Sequence, residues 1–204
     1  MDTTTRTWIR RITAAAALIG TLATFGPEGQ AASTTPVASP APQITISGAE
    51  PDDEAAVDWA LRRYREGDLE HMPSLDVHLH RSHDGCQGGM GLYHAGRIDL
   101  CTMDSSERYA RKYALHEMAH AWTESNLDAL VIERFMRVRG IAAWNDRADA
   151  WKDRGIEQVA EVITWGLGEG GIAPLLPAPT PAAELADLYE MLTGRAPITP
   201  DAVG

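Results

Sequence analysis

Tyr113-Ala114-Leu115-His116-Glu117-Met118-Ala119-His120-Ala121-Trp122 is the stretch from which the rest of the chain is read. Its apolar residues recur at helical spacing, which predicts a helix over about residues 105–123. Asp104 stands three residues before Glu107 in a capping-box arrangement at its start. On a helix, residues four apart share one face, one turn apart. His116 and His120 then present two imidazoles able to grip a single ion. Glu117 lies about 100° round the helix from His116, beside such an ion without pointing at it. A base must stand there to take a proton from a metal-bound water. The pattern H-E-x-x-H therefore states a mechanism: zinc lowers the pKa of water to about 7, and a nearby carboxylate makes it a nucleophile. The contrary reading, an exposed face that happens to carry His, Glu and His, fits poorly with the apolar residues around them.

Two histidines leave zinc short of ligands. Glu124 continues the row, but eight residues on it is roughly 12 Å of helix rise from His116. A third His further along the same helix is excluded, because Thr123 and Asn126 occupy the positions where that pattern needs Gly and His. The better source is Gly155-Ile156-Glu157-Gln158-Val159-Ala160-Glu161-Val162-Ile163-Thr164-Trp165. Glu157 and Glu161 share one face of this predicted helix, beside an apolar face of Val159, Ala160, Ile163 and Leu167. Carboxylates at the edge of a buried face need partners, and a dication with its ligand imidazoles supplies them. Either glutamate can be the third ligand on spacing alone.

Working outward, residues 75–80 alternate as a strand with Leu75, Val77 and Leu79 on one side. Residues 90–94 and 97–101 form a hairpin through Ala95-Gly96. Further helices are expected over about 52–66, with Asp52 or Asp53 as cap, and over 128–139, 155–167 and 181–192. The last has Thr180 as cap and Gly194 as stop. The fold class is α+β: a small, mostly antiparallel sheet packed on the helix that carries the histidines and on further helices. Cys86 and Cys101 bracket the hairpin and are expected to form a disulfide. His78 and His80 project from one strand face, which reads as a solvated face before a second metal site. The tryptophans read as core and cleft walls.

The N-terminus reads as an export signal. Arg6, Arg10 and Arg11 precede an apolar stretch too short to span a bilayer, followed by small residues at Gly29, Ala31 and Ala32. The domains are then a signal at 1–32, a Pro/Ala/Ser/Thr-rich linker at 33–50, and one folded domain at 51–204. The chain of 204 residues carries a formal net charge of −11 and no basic stripe, which argues against nucleic acid as a partner. A secreted or cell-surface protein is expected, with no stable membrane association once the signal is cut.

The strand pair, the H-E-x-x-H helix and the later Glu-x-x-Ala-Glu helix together resemble the zincin peptidases, over roughly residues 90–167. The likeness is to the branch with Glu as third ligand, the gluzincins, of which thermolysin-like enzymes are the best-known group. The resemblance implies a Zn2+ metallopeptidase with His116, His120 and Glu157 as ligands and Glu117 as general base. Glu161 becomes an outer carboxylate orienting a ligand imidazole, and the partner is a peptide or protein substrate. Two other readings share these residues: a non-catalytic binding module, and an amidase of cell-wall peptides. The chain departs from the family in the extra helix and Trp-rich loop between His120 and Glu157. The family's oxyanion-stabilising Tyr or His is also not placed by any motif, and Tyr189, His94 and Arg154 are its candidates.

Overall fold

Alternating apolar residues on short strands and apolar stripes on helices meet on one side of a sheet. A computed structural model describes residues 8–11, 43–48, 51–69, 71–102 and 105–202. The export-signal cleavage region, most of the predicted linker and the capping Asp104 lie outside the described residues. Strands are β1 (Trp8–Arg11), β2 (Gln43–Ser47), β3 (Leu75–Leu79), β4 (Gly91–His94) and β5 (Arg97–Leu100). Helices are α1 (Pro51–Glu66), α2 (Glu107–Asn126), α3 (Ala129–Arg139), α4 (Gly155–Leu167) and α5 (Ala182–Thr193). The class is α+β.

The sheet runs β1-β2-β3-β5-β4. Four of its strands, β2 to β5, belong to the domain, and β1 comes from the segment read as an export signal. β2 pairs with β3, and β3 with β5, in parallel; β1–β2 and β4–β5 are antiparallel. The expectation of a mostly antiparallel sheet is therefore corrected to a mixed one. One reason is that β3 pairs with β5 and not with β4; the other is β2, which lies inside the stretch read as linker. Gln43-Ile44-Thr45-Ile46-Ser47 alternates strictly, with Ile44 and Ile46 buried, yet its Pro/Ala/Ser/Thr-rich surroundings masked the pattern. The chain then crosses through α1, so β3 returns parallel to β2.

One sheet face, carrying Ile44, Ile46, Val77, Leu79, Ile98 and Leu100, packs into a core shared with the helices. α1 contributes Val57, Ala60, Leu61 and Tyr64 from one stripe. α2 lies against α1, α4 and β4, and every residue from Ala114 to Thr123 is buried. A helix buried all round sits at the centre of its fold, so the histidines of α2 are held by neighbours on every side. Helix ends follow the predicted punctuation closely. Asp128 accepts from Val131 N at the start of α3, and Gly140 and Gly194 close α3 and α5 in left-handed conformations. The cap of α5 is Pro181 and not Thr180, whose hydroxyl bonds the Ala178 carbonyl instead.

The β4–β5 hairpin turns through Ala95 and Gly96, with φ of 47° and 83°, the paired positive angles of the tightest hairpin turn. Cys86 and Cys101 form the disulfide, with Cα atoms 6.2 Å apart and a sequence separation of 15. Closing a loop of that size contributes roughly 3 kcal/mol in the chain-entropy account. It also ties the chain entering β4 to the end of β5.

Candidate metal centre

α2 and α4 bring together residues 41 and 37 positions apart. Glu157 Oε2 lies 3.2 Å from His116 Nε2 and 3.1 Å from His120 Nε2. These three ligand-type atoms all fall within 4.8 Å of one another, and the group could hold a metal ion. Atoms at about 2.0–2.1 Å from a tetrahedral ion stand roughly 3.3 Å apart, which the two Glu157 separations match. Two imidazoles and a carboxylate form a donor set of the zinc type. Among the described residues no fourth His, Cys, Asp or Glu joins the group.

Glu161 takes a different place. Its Oε1 lies 3.1 Å from His116 Nδ1, at ion-pair distance though off the line of a straight hydrogen bond. The other oxygen accepts from Leu175 N at 2.7 Å and lies 3.2 Å from Lys112 Nζ. Glu157 thus faces the Nε2 atoms of both imidazoles, and Glu161 backs the opposite nitrogen of one of them. A carboxylate in that rear position fixes the ring and its tautomer.

Glu117 is buried beside the cluster, facing β4. Tyr93 and Gly91 share a sheet face with Ile98 and Leu100, their partners in register. A Cβ built on Gly91 would meet Glu117 Oε1 at 2.4 Å and Cγ at 2.6 Å, so glycine is what lets the carboxylate lie against the strand. The Tyr93 backbone also favours its charged form. Tyr93 also stacks on His120, ring centroids 6.3 Å apart. Burial pushes the Glu117 pKa up, and the neighbouring imidazoles only partly offset this.

Burial alone would lower the pKa of His116, but the Glu157 and Glu161 carboxylates against it carry it up to about 10. Burial would raise Glu157 and Glu161, but the imidazoles they face bring both down to about 2. The metal-free protein thus holds a charged imidazolium between carboxylates. His116, raised on folding, stabilises fully below its unfolded pKa of about 6.5 and loses that contribution as pH climbs through about 10. The carboxylates, lowered on folding, contribute above their ordinary value of 4.5 and lose it as pH falls. Metal-free protein should therefore be most stable between about pH 4.5 and 6.5. A ligand imidazole must be neutral, so zinc added at pH 7–8 should release about one proton from His116. Titration in weak buffer measures this; no release would show His116 already neutral.

The cluster opens into a cleft of about 620 Å³, a size suited to a small ligand or a few peptide residues. Residues from the chain 86–93, from α2 and from α4 line it, together with Asn145, Arg147, Trp151 and Arg154. Compared with protein-family models, curated proteins and solved structures, the chain matches none. Of the expected oxyanion candidates, Arg154 lines the cleft, whereas Tyr189 is fully buried against Gly166 and His94 is exposed on the sheet face opposite Tyr93. Tyr113, which spacing three residues before His116 could have revealed, also lines the cleft. Its hydroxyl makes no hydrogen bond among the described residues, while that of Tyr93 is taken by Glu124 and Gly96 N. His78 and His80 pair instead with Asp76 and Asp99, at 2.9 and 2.5 Å, and join no metal group among the described residues.

Proposed function

We propose that this chain is a zinc-dependent peptide hydrolase of the gluzincin type, working outside the cell. The observation that carries this is the meeting of His116, His120 and Glu157 at one point, open to a cleft, with Glu117 buried alongside. His116 Nε2, His120 Nε2 and a Glu157 oxygen would hold the ion. When bound, zinc supplies Lewis acidity that brings the pKa of water to about 7 and polarises a carbonyl. Glu117 accepts a proton at its carboxylate from the attacking water and passes it to the departing amine nitrogen. Glu161, anchored by Lys112 and Leu175 N, keeps His116 in the tautomer that presents Nε2. Tyr113 is the uncommitted hydroxyl donor of the cleft, and burial with its neighbours Tyr109 and Glu161 raises its pKa, so it stays protonated to donate toward a developing oxyanion. The disulfide accords with an oxidising compartment, and no helix among the described residues is long and apolar enough to cross a membrane.

Zinc content of the purified protein, together with turnover of casein-like peptides and of cell-wall peptides, tests this reading. About one zinc per chain with peptide turnover supports it; no zinc after metal is offered sinks it. A finer test is Gly91→Ala. The added methyl must push Glu117 aside or move β4, so turnover should fall about 10²-fold with zinc content unchanged. Wild-type turnover in this variant would mean that Glu117 is not held where the base must be.

A further inference from the structure

Among the described residues the buried or partly buried cations other than Arg154 are each paired with a carboxylate: Arg63 with Glu66, Arg111 with Glu107 and Glu169, Lys112 with Glu161, and Arg139 with Glu184. The two arginines of the cleft wall differ. Neither Arg147 nor Arg154 forms an ion pair with a carboxylate among the described residues. Acids are close in sequence, at Asp146, Asp149 and Asp153. Asp146 uses its carboxylate to accept from Ala148 N at 2.9 Å, and Asp149 offers Arg154 only its backbone carbonyl.

Arg154 is half-buried and held by neutral acceptors. Nε and Nη2 donate to Asp149 O at 3.2 and 3.0 Å, and Nη2 to Arg147 O at 3.3 Å. These bonds orient the guanidinium without neutralising it, and Nη1 keeps its donors free among the described residues. A partly buried cation without a counter-ion is costly unless an anion joins it. Arg154 is also the N-cap of α4, three residues before Glu157, about 4.5 Å of helix rise. Its side chain lines the same cleft as His116, His120 and Glu157, so an anion held there shares that cleft with the metal cluster.

We propose that Arg154, with Arg147 beside it, binds a free carboxylate of the substrate, so that preferred substrates are peptides carrying a carboxylate next to the cleaved bond. This rests on the peptide-hydrolase reading, and the carboxylate can be a C-terminus or an acidic side chain. Both are planar anions that a guanidinium grips through paired donors.

Four short peptides of one sequence test it, ending in free acid or amide and carrying Glu or Gln at the flanking position. Two readouts are taken: kcat/KM with zinc-loaded protein, and calorimetric binding to Glu117→Gln protein, which needs no turnover. A carboxylate should improve both about tenfold or more. In Arg154→Gln the ratio of carboxylate to neutral peptide should fall to about one in both readouts, whatever the rate on the neutral peptide, and Arg154→Lys should restore part of that ratio. Dominance of the acid–amide difference assigns a C-terminus; dominance of the Glu–Gln difference assigns a side chain. No preference in the wild type, or a preference intact in Arg154→Gln, overturns the proposal. Carboxylate-dependent binding without hydrolysis of any peptide would keep this site and remove the hydrolase reading. Should Arg154→Gln fail to fold, the arginine Nε–H signals of Glu117→Gln protein decide: a shift with free-acid but not amide peptide supports the proposal, and no shift overturns it.

Discussion

Glu117→Gln should cut peptide turnover by about 10²- to 10⁴-fold, the range of a lost general base, while the protein keeps its fold and its zinc. Glutamine matches the shape of the buried carboxylate, so the close approach of Gly91 can survive. It cannot take up a proton. Because Glu117 stands beside the ligand cluster and outside it, zinc content measured alongside turnover separates chemistry from metal binding. Near-normal turnover would remove Glu117 from the mechanism, and loss of zinc would make it a ligand. A domain in which zinc is only a staple would show no turnover in either form.

The second large effect is on the metal. Glu157→Ala should abolish stoichiometric zinc binding, because it removes the oxygen that lies against both Nε2 atoms. Glu161→Gln should retain about one zinc per chain but bind it roughly 10- to 100-fold more weakly, the usual cost of losing an outer carboxylate. Glutamine is preferred to alanine there because Lys112 and Leu175 N both rely on that side chain, and a buried lysine left bare is destabilising. Metal analysis and competition with a chelator measure both variants. The opposite ranking, zinc lost in Glu161→Gln and kept in Glu157→Ala, would exchange the two roles.

Much of this site was legible before any fold was known. The four-residue spacing of His116 and His120 and the offset of Glu117 follow from the helical repeat alone. The pairing of Glu157 and Glu161 on one face follows likewise, as do the hairpin at Ala95-Gly96 and the helix stops at Gly140 and Gly194. These features span a few residues, and local backbone geometry determines them.

Whatever depends on distant segments was not legible. Strand β2 hid in a Pro- and Ser-rich stretch, and the parallel pairing it creates depends on a crossover through α1. Spacing left Glu157 and Glu161 equivalent; only the way α4 lies against α2 turns one toward Nε2 and the other toward Nδ1. The same is true of the cleft, where Tyr113 and Arg154 line the site while His94 faces away and Tyr189 is sealed in the core. Helix and strand periods determine which residues share a face. What that face meets is decided by packing between elements tens of residues apart, where contact depends on shape and burial and no longer on sequence spacing.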